Sequence, residues 1–275
     1  MIVHLIDGTY ELFRHFYGGK RFNDKRPFGA VIGVLNGVLE LIEQGATHIG
    51  VATDHVIESF RNDLWPGYKT GAGIDPALWN QFSPLEDALA AMGVCVWPMV
   101  DLEADDALAS AARIAAEDAR VEKVCIWTPD KDLAQCVRDT RVVQVDGMRK
   151  TIRDAAGVRE KFGVAPEHIP DFLALVGDAA DGYPGIPRIG RKTAAQLIAQ
   201  HGAIEQFPRN VLGAHREDAL LFKRLATLID DAELIASVDE LAWHGPTAAF
   251  AAMTQQIGDT RIESRAARAL LPRSM

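Results

Sequence analysis

Three carboxylates lie within four residues at Glu103-Ala104-Asp105-Asp106, directly before the alanine- and leucine-rich run 107–116. Like charges this close repel one another, and a bound cation would relieve the repulsion. If the run is a helix, Glu103 and Asp106 share one face and Asp105 points away, so we expect two carboxylates to share an ion while the third braces it. The alternative is a solvated helix start, because acidic residues also suit the positive end of a helix dipole.

The chain's other aspartates favour the ion over the solvated helix. Four short apolar runs each lead into acidic residues: 2–7 into Asp7, 48–54 into Asp54, 93–98 into the Glu103 cluster, and 123–130 into Asp130 and Asp132. Helical patterns at 28–43 and 84–92 separate the runs, which predicts an α/β fold with a central, mostly parallel sheet flanked by helices. Ligands bind at the carboxyl ends of parallel strands, so we expect one acidic rim, although each aspartate alone is a common helix N-cap.

The pattern changes near Val164. Before it, 141–146 followed by Gly147 predicts a fifth strand that lies at an edge of the sheet and enters a hairpin turn. After it, the sequence predicts only helices, at 170–176 and 191–200 and then at 220–228 and 233–241 with a tail to Met275. The part from 220 onward is expected to pack on the first domain. We therefore expect an α/β domain at 1–163 and a helical domain at 164–275.

The loop 177–190 contains four glycines and two prolines, and a helix pattern begins directly after it. Arg188, Arg191 and Lys192 add three positive charges within five residues. Glycine-rich turns that lead into a helix N-terminus bind anions, so the loop predicts contacts to a phosphate backbone rather than a plain structural turn. At the start of the loop, Asp178 and Asp181 have a spacing that can present both carboxylates inward, although Asp178 also fits a capping role.

The polar, glycine-rich segment 59–73 follows Asp54 and carries further candidates for contact with nucleic acid. Lys69 beside Tyr68 places a phosphate-binding cation next to a ring that could stack on a base, and Arg61 adds a second cation. We expect this segment to be mobile until a ligand orders it. The alternative is solvated surface charge.

Composition limits the class of protein. With 275 residues and 48% hydrophobic residues, the chain can bury a large core, and no run approaches the length of a membrane helix, so we expect a cytoplasmic protein. The three cysteines lack metal-finger spacing. The net charge of −9 does not exclude a nucleic-acid partner, because the nine acids assigned below to metal account for the whole excess of 38 acidic over 29 basic residues.

The sequence resembles the 5′-nuclease family, meaning flap endonucleases and the 5′→3′ exonuclease domain of bacterial DNA polymerase I. The resemblance runs from Ile2 to about Leu241. It is carried by these motifs in order: Leu5-Ile6-Asp7-Gly8 with Phe13-Arg14, Pro27-Phe28-Gly29-Ala30-Val31, Phe60-Arg61 with Tyr68-Lys69, Glu103-Ala104-Asp105-Asp106, Thr128-Pro129-Asp130-Lys131-Asp132-Leu133, and Gly177-Asp178 through Pro184-Gly185-Ile186 to Ile189-Gly190-Arg191-Lys192-Thr193-Ala194.

The resemblance implies a PIN- or resolvase-like nuclease that acts on DNA with a 5′ end or flap and uses two or more Mg²⁺ or Mn²⁺ ions. It assigns to the metals Asp7, Asp54, Glu103, Asp105, Asp106, Asp130, Asp132, Asp178 and Asp181. We expect Glu103, Asp105, Asp106 and Asp7 to hold the first ion with Asp54 ordering its waters, and the remaining four acids to build the second site. A two-ion site stabilises both oxygens of an in-line phosphodiester cleavage.

The same resemblance implies the DNA contacts. The loop 182–192 matches a helix–three-turn–helix element that holds duplex DNA and often a potassium ion. Arg61 and Lys69 match a gateway that steers the scissile phosphate and belong to the catalytic set, and the DNA-contacting set is Arg14, Arg61, Tyr68, Lys69, Gly185, Arg188, Gly190, Arg191, Lys192 and Thr193. No polymerase sequence follows Met275, so we expect a free-standing, monomeric nuclease that works with replication or repair partners.

Three departures from the family pattern stand out. Thr70-Gly71-Ala72-Gly73 lacks a basic residue that commonly follows Tyr-Lys, Gly182-Tyr183 replaces the commoner Asn-Leu, and Arg188 stands where glycine is usual. Three other functions share parts of this pattern. Leu5 argues against a haloacid dehalogenase-type phosphatase, which needs a nucleophilic aspartate there. A PIN-like ribonuclease and a non-catalytic DNA-structure-binding protein remain, and a magnesium-dependent comparison of DNA and RNA flaps separates them from a deoxyribonuclease.

Overall fold

The computed structural model describes residues 1–21 and 26–270. Six strands form one sheet: β1 (Ile2–Asp7), β2 (His48–Asp54), β3 (Cys95–Met99), β4 (Lys123–Trp127), β5 (Val142–Asp146) and β6 (Thr151–Arg153). Their order is β3-β2-β1-β4-β5-β6, with β1 to β5 parallel and β6 antiparallel to β5. The strands β2 and β3 are added on one side of β1, and β4 to β6 are added on the other side. Open α/β sheets bind ligands at such a switch point, which here lies between β1 and β4.

The predicted edge position of β5 is wrong, because β6 pairs outside it. Three residues are too few to show a strand pattern in the sequence. The predicted hairpin turn after β5 is present and connects these two strands.

Helices cover both faces of the sheet. Those before residue 164 are α1 (Gly8–Arg21), α2 (Gly29–Gln44), α3 (Phe60–Leu64), α4 (Pro76–Trp79), α5 (Phe82–Ala91), α6 (Ala104–Glu117) and α7 (Ala155–Phe162). One core joins α1, α2 and α5 to the sheet, and α6 packs on the opposite face. The buried face of α6 consists mainly of alanines, which lets its backbone approach β1 closely and fixes the start of α6 at the acidic rim.

The helices after residue 164 are α8 (Ile169–Val176), α9 (Arg191–His201), α10 (Arg209–Leu212), α11 (Arg216–Ala226), α12 (Phe250–Ile257) and α13 (Arg261–Ala269). Helices α8, α9 and α11 share a second core, so the helix predicted at 220–228 packs mainly on α8 and not on the first domain as expected. In the tail, α12 and α13 pack on α5 and α2 of the first domain. Among the described residues, none of these helices is long and apolar enough to cross a membrane.

The helix predicted at 233–241 is wrong. That stretch contains only a 3₁₀ turn at Val238–Leu241, which begins at a capping box formed by Ser237 and Glu240. Val238 and Leu241 of this turn are buried. The preceding segment 227–236 has no regular element, although Ile235 within it is also buried. The segment is held instead by individual hydrogen bonds to α6, such as those from Ser110 Oγ to the Ile229 carbonyl and from the Ala232 N–H to Ser110 Oγ.

Candidate metal centre and nucleic-acid interface

The ends of β1 and β2 place Asp7 and Asp54 on one rim, and each carboxylate is fixed by a neighbouring element. Asp54 Oδ1 accepts a hydrogen bond from the Ala104 N–H at 2.8 Å, which ties the end of β2 to the first turn of α6. Asp7 accepts from the Tyr10 N–H at 2.8 Å and from the Thr128 hydroxyl at 3.0 Å. The acidic rim predicted from the strand ends is therefore present.

A second group of acids adjoins this rim. Asp132 begins the 3₁₀ turn Asp132–Cys136 after β4, and Asp178 and Asp181 lie in the loop after α8. One oxygen from each of these three carboxylates lies within 4.8 Å of the other two. Asp132 Oδ1 is buried and has no hydrogen-bond partner among the described residues. An oxygen-only ligand set with an unpaired buried carboxylate oxygen fits a hard divalent cation such as Mg²⁺ or Mn²⁺.

Burial and mutual repulsion disfavour the ionised form of Asp7, Asp105 and Asp132. The pKa of Asp7 is raised to about 7 by burial, and the charges of Asp54 and Asp130 add to the shift. Burial and the neighbouring Asp130 raise the pKa of Asp105 and of Asp132 well above their usual range. A divalent cation reverses this balance by favouring the ionised forms.

The expected arrangement of the Glu103 cluster is wrong. The charges of Asp130 and Asp7 act on Asp105, so Asp105 belongs to the rim rather than pointing away from it. Asp106 turns inward and accepts from Arg61, from the Glu103 N–H at 3.0 Å and from the Ile229 N–H at 2.9 Å. The cause is the capping box at the start of α6, in which the side chains of Glu103 and Asp106 bond each other's backbone. With its oxygens taken up in this way, Asp106 supports the rim and does not offer it a free ligand.

Arg61 and Tyr68 are buried, so the predicted direct contacts of these side chains with DNA are wrong. Arg61 is 1% exposed, and its guanidinium donates to Glu103, to Asp106 and to the carbonyls of Leu225 and Thr227. Tyr68 lies in the core of the helical region and directs its hydroxyl toward Glu103 Oε2 at 3.4 Å. The sequence could not show this burial, because the carbonyls that satisfy Arg61 are about 165 residues away in the chain.

Lys69 is placed between the two groups of acids. Its Nζ lies 2.7 Å from Glu103 Oε2 and 3.4 Å from Asp181 Oδ1, and its side chain remains partly exposed. The segment around it, expected to be mobile, is held by the helix α3 and by hydrogen bonds from the Lys69 N–H to the Asp181 carbonyl and from Trp65 Nε1 to the Gly182 carbonyl. The chain before α4 is thereby attached to the loop that carries Asp178 and Asp181.

The loop 177–190 crosses itself closely and ends at the exposed start of α9. Gly185 has φ +70°, and a Cβ there would lie 2.3 Å from the Gly177 nitrogen, so this crossing requires glycine. Gly190 is the N-cap of α9 and no side chain caps it, which leaves N–H groups of the first turn available to an anion. Arg188, Lys192 and Thr193 are exposed beside it. Arg188 adopts φ +69°, a conformation that favours glycine.

A basic surface extends from this loop, and sequence reasoning found only part of it. Arg191 donates to the Lys161 carbonyl at 3.0 Å and lies over the rings of Phe162 and Phe172. Burial, followed by the charges of Arg153, Arg149 and Arg191, lowers the pKa of Lys161. The four cations Arg149, Arg153, Lys161 and Arg191 are therefore neighbours, and we call them the basic surface. The sequence predicts the hairpin turn after β5 but not the short strand β6, which carries Arg153 and places it near Lys161.

Arg14 is not part of the basic surface. It pairs with Glu11 and contacts His15 Nε2 at 2.8 Å, and it lines a groove of about 730 Å³ formed with α2 and β4 to β6. Another residue missed by sequence reasoning is Lys131, which forms an ion pair with Asp178 inside the second group of acids. Its position between Asp130 and Asp132 was the available signal.

Comparisons with known proteins agree with this architecture. Residues 2–163 match the family described as 5′-3′ exonuclease, N-terminal resolvase-like domain, and residues 164–249 match the 5′-3′ exonuclease, C-terminal SAM fold. The chain belongs to the 5′-3′ exonuclease family. The predicted family and the predicted fold, a resolvase-like α/β sheet followed by a helical region, are confirmed.

Individual relatives include both short and long proteins. A 5′-3′ exonuclease of Buchnera aphidicola is 31% identical over 248 residues, which cover 82% of this chain and 81% of that protein. DNA polymerase I of Pseudomonas aeruginosa is 36% identical over 259 residues, which cover 86% of this chain but only 28% of the polymerase. The structure of the T5 D15 protein co-crystallised with metal ions aligns with a TM-score of 0.70 at 19% identity, covering 96% of this chain and 100% of the other, and so shows a shared fold.

Proposed function

We propose that this chain is a divalent-metal-dependent 5′→3′ deoxyribonuclease that hydrolyses DNA at a 5′ end or 5′ flap. The observation that carries the proposal is the convergence of Asp132, Asp178 and Asp181 to within 4.8 Å of one another, close to Asp7 and Asp105 at the rim. The charge of Asp130 also acts on Lys161 of the basic surface. Membership in the 5′-3′ exonuclease family supports it.

The chain's acids would hold two or more Mg²⁺ or Mn²⁺ ions in two groups. Asp7, Asp54, Glu103 and Asp105 form the group at the ends of β1 and β2, and Asp130, Asp132, Asp178 and Asp181 form the other. Bound divalent ions supply an activated water and stabilise the charge on the attacking and leaving oxygens. Asp106 would not bind an ion directly, because its oxygens accept hydrogen bonds from Arg61 and from two backbone N–H groups. It would instead support the site by capping α6.

Lys69 is proposed to orient the phosphate that is cut. Its ammonium group contacts one acid from each group and remains partly exposed, so it can exchange a carboxylate for a phosphate oxygen when DNA arrives. Arg61 has no such freedom and holds Glu103 from behind.

DNA is proposed to lie along the basic surface and the first turn of α9. Arg188, Lys192, Thr193 and the N–H groups after Gly190 would contact phosphates without reading bases, and Arg149, Arg153 and Lys161 would extend the contact toward the acids. Gly185 permits the close backbone crossing, and the loop 182–192 is the place for a potassium ion. Arg14 would meet DNA only beyond this surface, on the side of the α2 groove. A monomer acting in the cytoplasm, with replication or repair partners, completes the proposal.

The test uses a 5′-flap DNA labelled at either end, incubated with the protein with and without Mg²⁺. We expect cleavage near the junction only with Mg²⁺, and at least a hundredfold loss of rate in Asp181→Asn. Asp231→Asn, an exposed acid away from the rim, is the matched control and should cleave normally. A flap of the same sequence made of RNA is tested in parallel. Cleavage of the RNA flap as fast as or faster than that of the DNA flap would favour a ribonuclease. Tight binding of the DNA flap without cleavage would favour a non-catalytic binding protein.

A further inference from the structure

The hydroxyl of Tyr183 is a buried polar group without a hydrogen-bond partner among the described residues. Tyr183 is 2% exposed, and its ring stacks on Phe222 with centroids 5.5 Å apart and planes at 25°. A buried tyrosine hydroxyl normally forms a hydrogen bond, because removing it from water without one costs about 1–3 kcal/mol. The packing of the ring therefore explains why an aromatic side chain is buried here, but it does not explain the hydroxyl.

The backbone places Tyr183 beside the second group of acids. The Asp178 N–H donates to the Tyr183 carbonyl at 2.8 Å, and the Tyr183 N–H donates to the Asp178 carbonyl at 3.0 Å. Residues that exchange both hydrogen bonds across an antiparallel pair lie directly opposite, and their side chains project to the same side. The Tyr183 ring thus lies on the side of the Asp178 carboxylate.

The electrostatic environment of the hydroxyl is that same group of acids. The charges that act most strongly on it are those of Asp132, Asp178 and Asp181, in that order. Asp132 Oδ1 also has no hydrogen-bond partner among the described residues. One acid group thus contains a buried phenol and a buried carboxylate oxygen that the protein itself leaves unpaired.

We propose that Tyr183 is a positioning residue for the cation held by Asp132, Asp178 and Asp181, and that its hydroxyl accepts a hydrogen bond from a water on that cation. A phenol oxygen carries lone pairs that can accept a hydrogen bond from such a water. Magnesium keeps several of its waters in protein sites, which provides the donor.

This inference rests on the proposed function, since it requires the acids to bind a divalent cation. The substitution Tyr183→Phe tests the hydroxyl separately from the ring, because it keeps the stacking on Phe222 and removes only the oxygen. A hydroxyl with a purely structural role would stabilise the metal-free protein, whereas a hydroxyl that serves the cation leaves the metal-free protein unchanged and strengthens metal binding.

The experiment is a calorimetric titration of the full chain with Mn²⁺ in the absence of DNA, together with thermal unfolding in EDTA. For Tyr183→Phe we expect an unchanged or slightly higher Tm in EDTA and a roughly tenfold weaker Mn²⁺ affinity, the usual effect of losing a hydrogen bond to a metal site's ligands. Tyr17→Phe, at a residue that is 51% exposed, is the control and should match the wild type in both measurements.

A second variant separates direct from indirect effects. In an Asp181→Asn background, Tyr183→Phe should weaken the remaining Mn²⁺ binding by much less than tenfold, because the two residues serve one ion. Unchanged Mn²⁺ affinity in Tyr183→Phe, or a lower Tm in EDTA, would overturn the inference while leaving the nuclease proposal intact. A wild-type chain that binds no Mn²⁺ would overturn both.

Discussion

Arg61 and Asp106 form a bidentate ion pair that is almost completely buried, with Nη1–Oδ2 at 2.8 Å and Nη2–Oδ1 at 2.7 Å. The pair joins three parts of the chain, because Arg61 also donates to the carbonyls of Leu225 and Thr227 and Asp106 also caps the start of α6. The turn after α11 is thereby fixed to the acidic rim. The positions of the helical region and of Glu103 therefore depend on one arginine.

Replacing Arg61 by methionine should lower the free energy of unfolding by about 3–5 kcal/mol, because it leaves the buried Asp106 carboxylate without its counter-charge. Urea unfolding measures this. The double variant Arg61→Met/Asp106→Leu should recover part of the loss, since it leaves no unpaired charge although the Glu103 and Ile229 N–H groups lose their acceptor. Arg14→Met, which breaks a partly exposed pair with Glu11, should cost less than about 1 kcal/mol. An equal loss in the two arginine variants would refute the structural role of the buried pair.

The stability of the metal-free protein should fall as the pH rises. Asp7 has a pKa of about 7 in the folded chain against about 3.9 when unfolded, so the folded state binds more protons between these values. The free energy of unfolding therefore decreases from about pH 4 to about pH 7, and Mg²⁺, which favours the ionised carboxylates, should remove or reverse the trend.

Thermal unfolding at several pH values, in EDTA and in millimolar Mg²⁺, tests this dependence on pH and metal. Asp7→Asn should have a flatter profile in EDTA than the wild type, because one of the titrating acids is gone. A wild-type Tm that rises with pH in EDTA would show that the rim acids do not carry the shifted pKa values.

Arg188→Gly should stabilise the protein by up to about 1 kcal/mol. The left-handed conformation that Arg188 adopts destabilises the folded state by roughly 1–2 kcal/mol for a residue with a Cβ. Glycine avoids this cost, but its greater conformational freedom in the unfolded chain offsets part of the stabilisation. Arg188→Ala is the matched control, because it removes the same charge but keeps the Cβ. If both variants unfold at the same urea concentration, the backbone conformation is not the cause.

Removing one cation of the basic surface should weaken DNA binding and its dependence on salt together. For Arg149→Ala we expect the slope of log K against log salt concentration to fall by about 1, which corresponds to one lost phosphate contact. The measurement is binding of duplex DNA at several salt concentrations without metal. Arg120→Ala is the control, because Arg120 precedes the amino end of β4, whereas Arg149 follows the carboxyl end of β5, and because Arg120 pairs with Asp118 and Asp239. A slope unchanged in Arg149→Ala would remove Arg149 from the interface.

The strands and their acidic ends could be predicted from the sequence because each is a local pattern. The runs at 2–7 and 48–54 are buried parallel strands whose bounds match β1 and β2, and the aspartates that end them follow the rule that parallel strands share a carboxyl edge. The fourth run was predicted to extend to Asp130, but β4 ends at Trp127 because the hydrogen bonds to β1 stop there.

The direction of individual side chains could not be predicted, because it depends on distant partners. Asp105 and Asp106 are adjacent in an acidic cluster, and only the capping box and Arg61 decide which of them faces the rim. Tyr68 was interpreted as a stacking ring because it precedes a lysine, yet the core of the helical region covers it. The basic surface could not be predicted as a whole for a related reason. The strand β6, which carries Arg153, has only three residues and shows no strand pattern in the sequence.

The most direct test of the account is anomalous diffraction from crystals of this chain soaked in Mn²⁺. We expect one peak between the carboxylates of Asp132, Asp178 and Asp181 and a second beside Asp7 and Asp105, with the first peak lost in Asp132→Asn. Soaked crystals that show Mn²⁺ only at other places on the surface, with none at the acidic rim, would contradict the account.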